Sequence, residues 1–222
     1  MRDFEQWRSW FEKNRQPELV SFYLQLLPNE QETVHLIEQC RDRDADRRPL
    51  RILNAIERLG RLSKDVTKLE SASDPLSLLL LVVCIETIYS VGEVGPNKKV
   101  DIVIDFFANH LTEPDRATLL SRIRRSRGDS SWQPNQSEVL KPEAVARVIN
   151  EVRNLFAHEG ESSLFSFPKP GNGILLVGPI SVDETGNGNK VEHCYDVSIT
   201  LDQFRQIVLR GCTHFLRHVL GG

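Results

Sequence analysis

Asn150-Glu151-Val152-Arg153-Asn154-Leu155-Phe156-Ala157-His158-Glu159-Gly160 joins a helical apolar period to an arginine, an asparagine and a histidine. Val145, Val148, Ile149, Val152, Leu155 and Phe156 fall three and four apart, which puts one apolar stripe on a helix of period ~3.6. That stripe has to be buried. Pro142 suits the first turn, where its missing N–H is no loss, and Gly160 suits the exit, so a helix is expected from about Pro142 to Glu159. At ~100° per residue, Arg147, Asn150, Glu151, Asn154 and His158 lie opposite the stripe, with Arg153 at its margin. Arg153 and His158, five apart, are then ~140° apart around the helix and do not meet by spacing alone. Between them, Asn154 and Ala157 are short enough to leave an arc that a guanidinium can lean across, so a phosphate could be held between the two.

Those residue types suit one chemistry. Arginine offers a planar fork of donors that matches phosphate oxygens and stays charged at any working pH. Histidine exchanges a proton near neutrality. On RNA, a histidine here could deprotonate a ribose 2′-hydroxyl for attack on the adjacent phosphorus, while arginine stabilises the added negative charge. That reaction needs no metal and no cofactor. The plainer reading makes the polar positions of this helix a solvated surface, with Arg153 in an ion pair.

Arg153-Asn154-Leu155-Phe156-Ala157-His158 resembles the R-x-x-x-x-H motif of HEPN domains, in which a polar residue commonly follows the arginine, as Asn154 does here. The resemblance runs roughly from Asp74 to Glu159 and into the closing helix. It implies a mainly α, HEPN-like helical bundle. It also implies a homodimer whose two motifs meet in one cleft, and a metal-independent endoribonuclease of the kind found in toxin-antitoxin and antiphage defence systems. In those terms Arg153 polarises the phosphate, His158 transfers the proton, and Asn154 orients the histidine or the RNA. RNA is the implied substrate, and a cognate antitoxin or other regulatory protein the implied partner. In HEPN toxins neutralised by nucleotidyl transfer a tyrosine lies two positions after the histidine; Gly160 stands there in this chain, which removes that acceptor. The alternative within the same resemblance is a non-catalytic module that binds nucleotide, RNA or protein.

A chain of 222 residues with 40% hydrophobic and 27% charged residues has the composition of a globular domain. The net charge of −3 excludes wholesale attraction to nucleic acid, so any RNA affinity must be local. The most basic stretch, Arg122-Ile123-Arg124-Arg125-Ser126-Arg127, closes an expected helix, and Arg122, Arg124, Arg125 and Arg127 join Arg147 as candidate RNA-binding residues. A solvated helix end, its cations facing the helix dipole, is the competing account of that stretch.

Cys40, Cys84, Cys194 and Cys212 form no C-x-x-C pair, which fits a reduced, cytoplasmic protein without a zinc knuckle. The charged opening Arg2-Asp3-Phe4-Glu5 does not read as a signal peptide, and the apolar run Leu78 to Ile85 falls short of the ~20 residues of a membrane span. No membrane association is expected. His214 and His218, four apart, could present two ligands to zinc, and Asp101 with Asp105 two carboxylates, but neither pair has a third ligand in sequence.

Residues 1–70 are expected to form an N-terminal helical extension, in which Phe4, Trp7, Trp10 and Phe11 dock on the domain behind and Arg41 to Arg48 makes a surface turn. The HEPN-like core is expected over 71–222. Within it, Pro75 to Tyr89 is apolar on every face and should be the central helix; its single charge, Glu86, must face an edge or find a partner. A supporting role of Glu86 toward Arg153 is the sharper of those options, and a structural role the plainer. A small β-hairpin is expected at about 162–199, before a last helix capped by Thr200 and Gln203.

Overall fold

The structure, a computed structural model, describes residues 4–43, 45–69, 73–126, 137–159, 165–183 and 187–221. Arg127 and Gly160 lie outside the described residues.

The first helices are α1 (Phe4–Asn14), α2 (Gln16–Tyr23), α3 (Glu30–Arg41) and α4 (Arg48–Asp65), which runs on into a 3₁₀ turn at Val66–Lys68. Only part of the aromatic stripe of α1 docks: Phe11 is buried, whereas Trp10 is 56% exposed. The Asn29 side chain caps α3 by accepting from the Glu32 N–H at 2.9 Å. Arg41, expected in a surface turn, is buried instead, donating to Glu12 at 2.8 Å and to Asp42 at 2.7 Å. Its guanidinium also donates to the Gln16 side-chain oxygen at 3.4 Å, and within the stretch of alternating charges Arg48 likewise pairs with Asp46, 2.9 Å apart. Glu57 on α4 is also buried and is held from two sides, by Arg15 at 2.6 Å and Arg61 at 2.5 Å. These buried charges are tolerated because each is paired and hydrogen-bonded.

The central helix α5 (Ser73–Gly92) packs against α4, against α6 (Lys99–Asn109) and, further along the chain, against the helix at Pro142–Asn154 and the last helix. Apolar residues on all its faces leave it no other place. Its Asp74–Gly92 portion is long and apolar enough to cross a bilayer by length and composition, although the uninterrupted apolar run is short; more than half of it is buried by the rest of the fold.

After α6 the chain forms α7 (Glu113–Arg122), whose Thr112 hydroxyl accepts from the Asp115 N–H. Two short strands follow, β1 (Ile123–Arg125) and β2 (Glu138–Val139), then α8 (Pro142–Asn154), which continues as a π-helical turn at Leu155–Glu159. The strands β3 (Leu175–Val182) and β4 (Val191–Val197) precede α9 (Leu201–Gly221). Thr200 and Gln203 cap α9 reciprocally: the Gln203 N–H donates to the Thr200 hydroxyl at 3.3 Å and the Thr200 N–H to the Gln203 amide oxygen at 3.1 Å.

The fold is therefore a mainly α bundle with a small sheet before the last helix. The expected hairpin is β3–β4, but the sheet is larger than a hairpin. Its order is β2-β1-β4-β3, antiparallel throughout, with Ile123 opposite Val197 and Leu175 on the other side of the same residue. Beyond Arg122 the described part of the basic stretch is thus not helical. α7 stops at Arg122, and Ile123 is drawn inward as a fully buried strand residue, because the edge of β4 supplies the backbone partners that a continuing helix would otherwise provide. One hydrophobic core runs through all of this, from Leu19, Ile37 and Ile52 in the first helices to Ile85, Phe107, Val148 and Phe204.

Candidate active site

Val145, Val148, Ile149 and Val152 of α8 are buried as their spacing requires, and the apolar face meets α6 and α5. The opposite face is not a solvated surface. The β3–β4 hairpin lies along it: the Arg147 guanidinium donates to the Asp183 carbonyl at 3.3 Å, the Lys190 ammonium reaches Glu151 at 2.5 Å, and Asn150 is buried. The plainer reading of a solvated polar face fails from Arg147 to Glu151 because a segment some forty residues downstream folds back over it. Arg147, expected to bind RNA, is thereby engaged within the chain.

The end of α8 departs from a regular helix where the motif lies. The Leu155 N–H is shared between the Glu151 and Val152 carbonyls, and Leu155–Glu159 then follows a π-helical turn. A π turn closes its hydrogen bonds over five residues rather than four, so each residue advances the chain by a smaller angle than in an α-helix. Positions five apart are brought nearer one another in azimuth than the ~140° of an α-helix. Arg153 stands in the last turn of α8, two residues before this turn, and His158 near its end. Leu155 and Phe156 are half-buried, while Ala157 and His158 are exposed.

Arg153 faces inward rather than across the helix surface. Its Nη2 donates to both oxygens of Glu86 on α5, at 2.9 and 3.3 Å, and its Nη1 to the side-chain oxygen of Asn154 at 2.9 Å. The two ion-pair side chains are only 12% and 16% exposed, and Lys99 at the start of α6 stands 3.9 Å from Glu86. The Arg153 Nε–H is sealed from solvent with no hydrogen-bond partner. Glu86 thus finds its partner in Arg153, and Asn154 orients the arginine rather than the histidine. His158 makes no hydrogen bond with the described residues and faces solvent. The arrangement supplies a guanidinium oriented by two neighbours, a donor on it without an acceptor, an exposed imidazole, and a lysine beside the pair.

Two of these groups were outside the candidate set. Glu86 carried a signal, as the only charge in an apolar helix, but its partner lay 67 positions away. Lys99 had none; its place follows from how α6 packs against α5 and α8.

Of the other candidate RNA-binding residues, the described ones lie at a helix end and on a short strand. Arg122 is exposed at the end of α7, Arg124 donates to the Ser121 carbonyl at 3.2 Å, and Arg125 lies 3.5 Å from Glu138 on the neighbouring strand. Strand geometry sends Arg124 and Arg125 to opposite faces of the sheet, so they do not share one phosphate path.

His214 and His218 do acquire a neighbour. The His110 ring centre lies 6.2 Å and 6.1 Å from theirs, with Asp105 3.8 Å from His110 Nε2. Still, among the described residues no three histidine, cysteine or acidic side chains are disposed to hold a metal ion. Asp105 instead accepts a hydrogen bond from the Tyr89 hydroxyl at 2.6 Å. Comparison with protein-family models, characterised proteins and solved structures returns no match to this chain, so the site has to be argued from its own geometry.

Proposed function

We propose that this chain is a metal-independent endoribonuclease of HEPN type, acting as a homodimer, with Arg153 and His158 as its catalytic residues. One observation carries the reading: Arg153 is held by Glu86 and Asn154 two residues before a π turn that carries an exposed histidine. π turns occur frequently at functional sites, and a guanidinium whose direction is set beforehand loses little on binding a phosphate. His158 takes the proton of the ribose 2′-hydroxyl, the oxygen attacks the adjacent phosphorus, and the bond to the 5′-oxygen breaks. Arg153 stabilises, through the positive charge of its guanidinium, a phosphate oxygen that gains charge in the transition state. The leaving 5′-oxygen takes its proton from the second protomer's histidine, which gives a 2′,3′-cyclic phosphate and a 5′-hydroxyl. In this reading Glu86 and Asn154 are positioning residues, and Lys99 adds positive charge to the path of the RNA backbone.

The test is cleavage of RNA in excess EDTA by the wild-type chain and by His158→Ala. Products bearing a cyclic phosphate, absent with the variant, support the enzyme; cleavage that requires added metal, or that survives in the variant, overturns it. A second reading has its own observation. The Arg153 charge is already met by Glu86, as expected of an element that stabilises the fold, and a non-catalytic RNA- or protein-binding module then remains. Under that reading the wild-type chain is inert in the same assay.

A further inference from the structure

In the N-terminal extension, α1, α2 and α3 bound an open groove of about 700 Å³. Helix period explains what lines it. On α2, Leu19, Phe22 and Tyr23 are buried in the core, whereas Pro17 and Val20, with Leu24 at the C-cap, come round on nearly the opposite side at ~100° per residue and line the groove. This short helix is therefore apolar on two faces, of which the fold covers one; Leu24 is 41% exposed. A surface helix ordinarily turns polar residues away from the core. On α3, Glu30, Val34 and Glu38 fall four apart and form one stripe along the other wall, beside the buried Thr33 and Ile37.

The charge of the groove is one-sided. Among the described residues no lysine or arginine lines it. Glu12, at its end, is already met by Arg41 at 2.8 Å and Arg8 at 3.3 Å. Glu30 and Glu38 make no ion pair or side-chain hydrogen bond among the described residues. For Glu30 the helix supplies a reason, because it stands in the first turn of α3, where the dipole favours an anion. Glu38 has no such reason. It stands in the last turn, against the dipole, and four residues before Asp42, a second carboxylate. Arg41, whose charge it feels, is bonded to Glu12 and Asp42 instead. A carboxylate kept where its own helix disfavours it, beside an uncovered apolar stripe, is accounted for by a cation that arrives from outside.

We propose that this groove docks an amphipathic helix of a partner protein whose apolar stripe is flanked by lysine or arginine. The apolar side chains of that helix lie on Val20, Leu24 and Val34. Its cations meet Glu30 and Glu38, which stand about 12 Å apart along α3 at ~1.5 Å per residue, the span of about two turns of the incoming helix. An acidic helix would set like charges against both carboxylates, and a nucleic acid backbone would be repelled in the same way. The surface lies within residues 1–70, outside the stretch that carries the Arg153–His158 motif, and the assignment does not depend on the ribonuclease reading.

The test is fluorescence anisotropy of the whole chain with a labelled synthetic helix of about 15 residues, its leucines three and four apart and a lysine about one turn to either side of them. Two control peptides carry glutamate in place of each lysine, or the same residues in an order without a stripe. The expected result is one lysine peptide per chain with a Kd below about 100 μM, at least about tenfold tighter than either control. Glu30→Lys combined with Glu38→Lys should weaken it at least about tenfold, as should Leu24→Ser, all at positions on the surface of the groove. Glu38→Lys by itself should melt no earlier than wild type, because a cation suits that end of α3; earlier melting makes Glu38 a structural residue and overturns the assignment. A Kd above about 100 μM overturns it, as does equal binding of a control or binding that the variants leave intact. If the chain self-associates in sedimentation and Leu24→Ser abolishes that association, the groove belongs to a second copy and the partner helix is refuted.

Discussion

The pairing of Glu86 with Arg153 can be tested without any assumption about catalysis. Nη2 of Arg153 lies 2.9 and 3.3 Å from the two carboxylate oxygens, and the side chains are 12% and 16% exposed. An exposed pair is worth about 0.2–1 kcal/mol, whereas removing one partner of a buried pair costs about 3–5 kcal/mol. With this degree of burial, Glu86→Ala should cost about 2–3 kcal/mol. The guanidinium stays behind, its Nε already without a partner and the Lys99 ammonium close to where the carboxylate stood. Arg153→Ala should cost a similar amount. Removing both charges in Glu86→Leu with Arg153→Met leaves two apolar groups of suitable volume, and the double variant should lie close to wild type. The cycle closed with Glu86→Leu and Arg153→Met alone, each expected to cost about 2–3 kcal/mol, then yields a coupling of about 4–6 kcal/mol. For a chain of this size 1 kcal/mol moves the melting temperature by about 2–4 °C, so each alanine variant should lose about 4–12 °C. Denaturant unfolding followed by far-UV circular dichroism measures all of these. Because the pair is largely out of solvent, raising the salt to 1 M should remove less than half of the coupling. A coupling below about 0.5 kcal/mol would refute the claim that Glu86 holds Arg153 in place.

Two further expectations concern other parts of the fold. Burial lowers the pKa of His110, and His214 and His218 push it the same way against the opposing Asp105. The neutral imidazole is the form the fold favours. Its contribution is therefore fully present above the ordinary value of 6.5 and is lost as the pH falls from there through the lowered value of the folded state. Urea midpoints of the wild type should decline between pH 7 and pH 5 more than those of His110→Gln, and equal declines would count against this account. Burial also pushes the Cys40 thiol up to about 12, and Cys84 and Cys212 are equally enclosed. A thiol reagent at pH 8 should modify Cys194 alone in the folded chain, the other three reacting only after unfolding; rapid reaction of a second thiol would contradict the packing of α5 against α9.

How the site became legible follows from which signals are local. The three-and-four spacing of Val145, Val148, Ile149 and Val152 marked α8, Thr200 and Gln203 marked the start of α9, and the all-round apolar character of Pro75 to Tyr89 marked the central helix. Helix period and capping are settled within about four residues, so the chain carries them in plain order. The R-x-x-x-x-H spacing was visible in the same way, and Glu86 stood out as a charge in need of a partner.

Other features depended on segments far apart in sequence. The carboxylate on α5 that meets Arg153, the Lys99 beside it, the hairpin that covers Arg147 and Glu151, and the recruitment of Ile123–Arg125 into the sheet all depend on which surfaces the folded chain brings together. So does the groove between α2 and α3. By itself the sequence determined which segments coil and which face each must bury, because those choices minimise local backbone and hydrophobic free energy. Tertiary structure decided which charge answers which, because an ion pair or a strand partner is selected by proximity in space, and that proximity exists only once the core has closed.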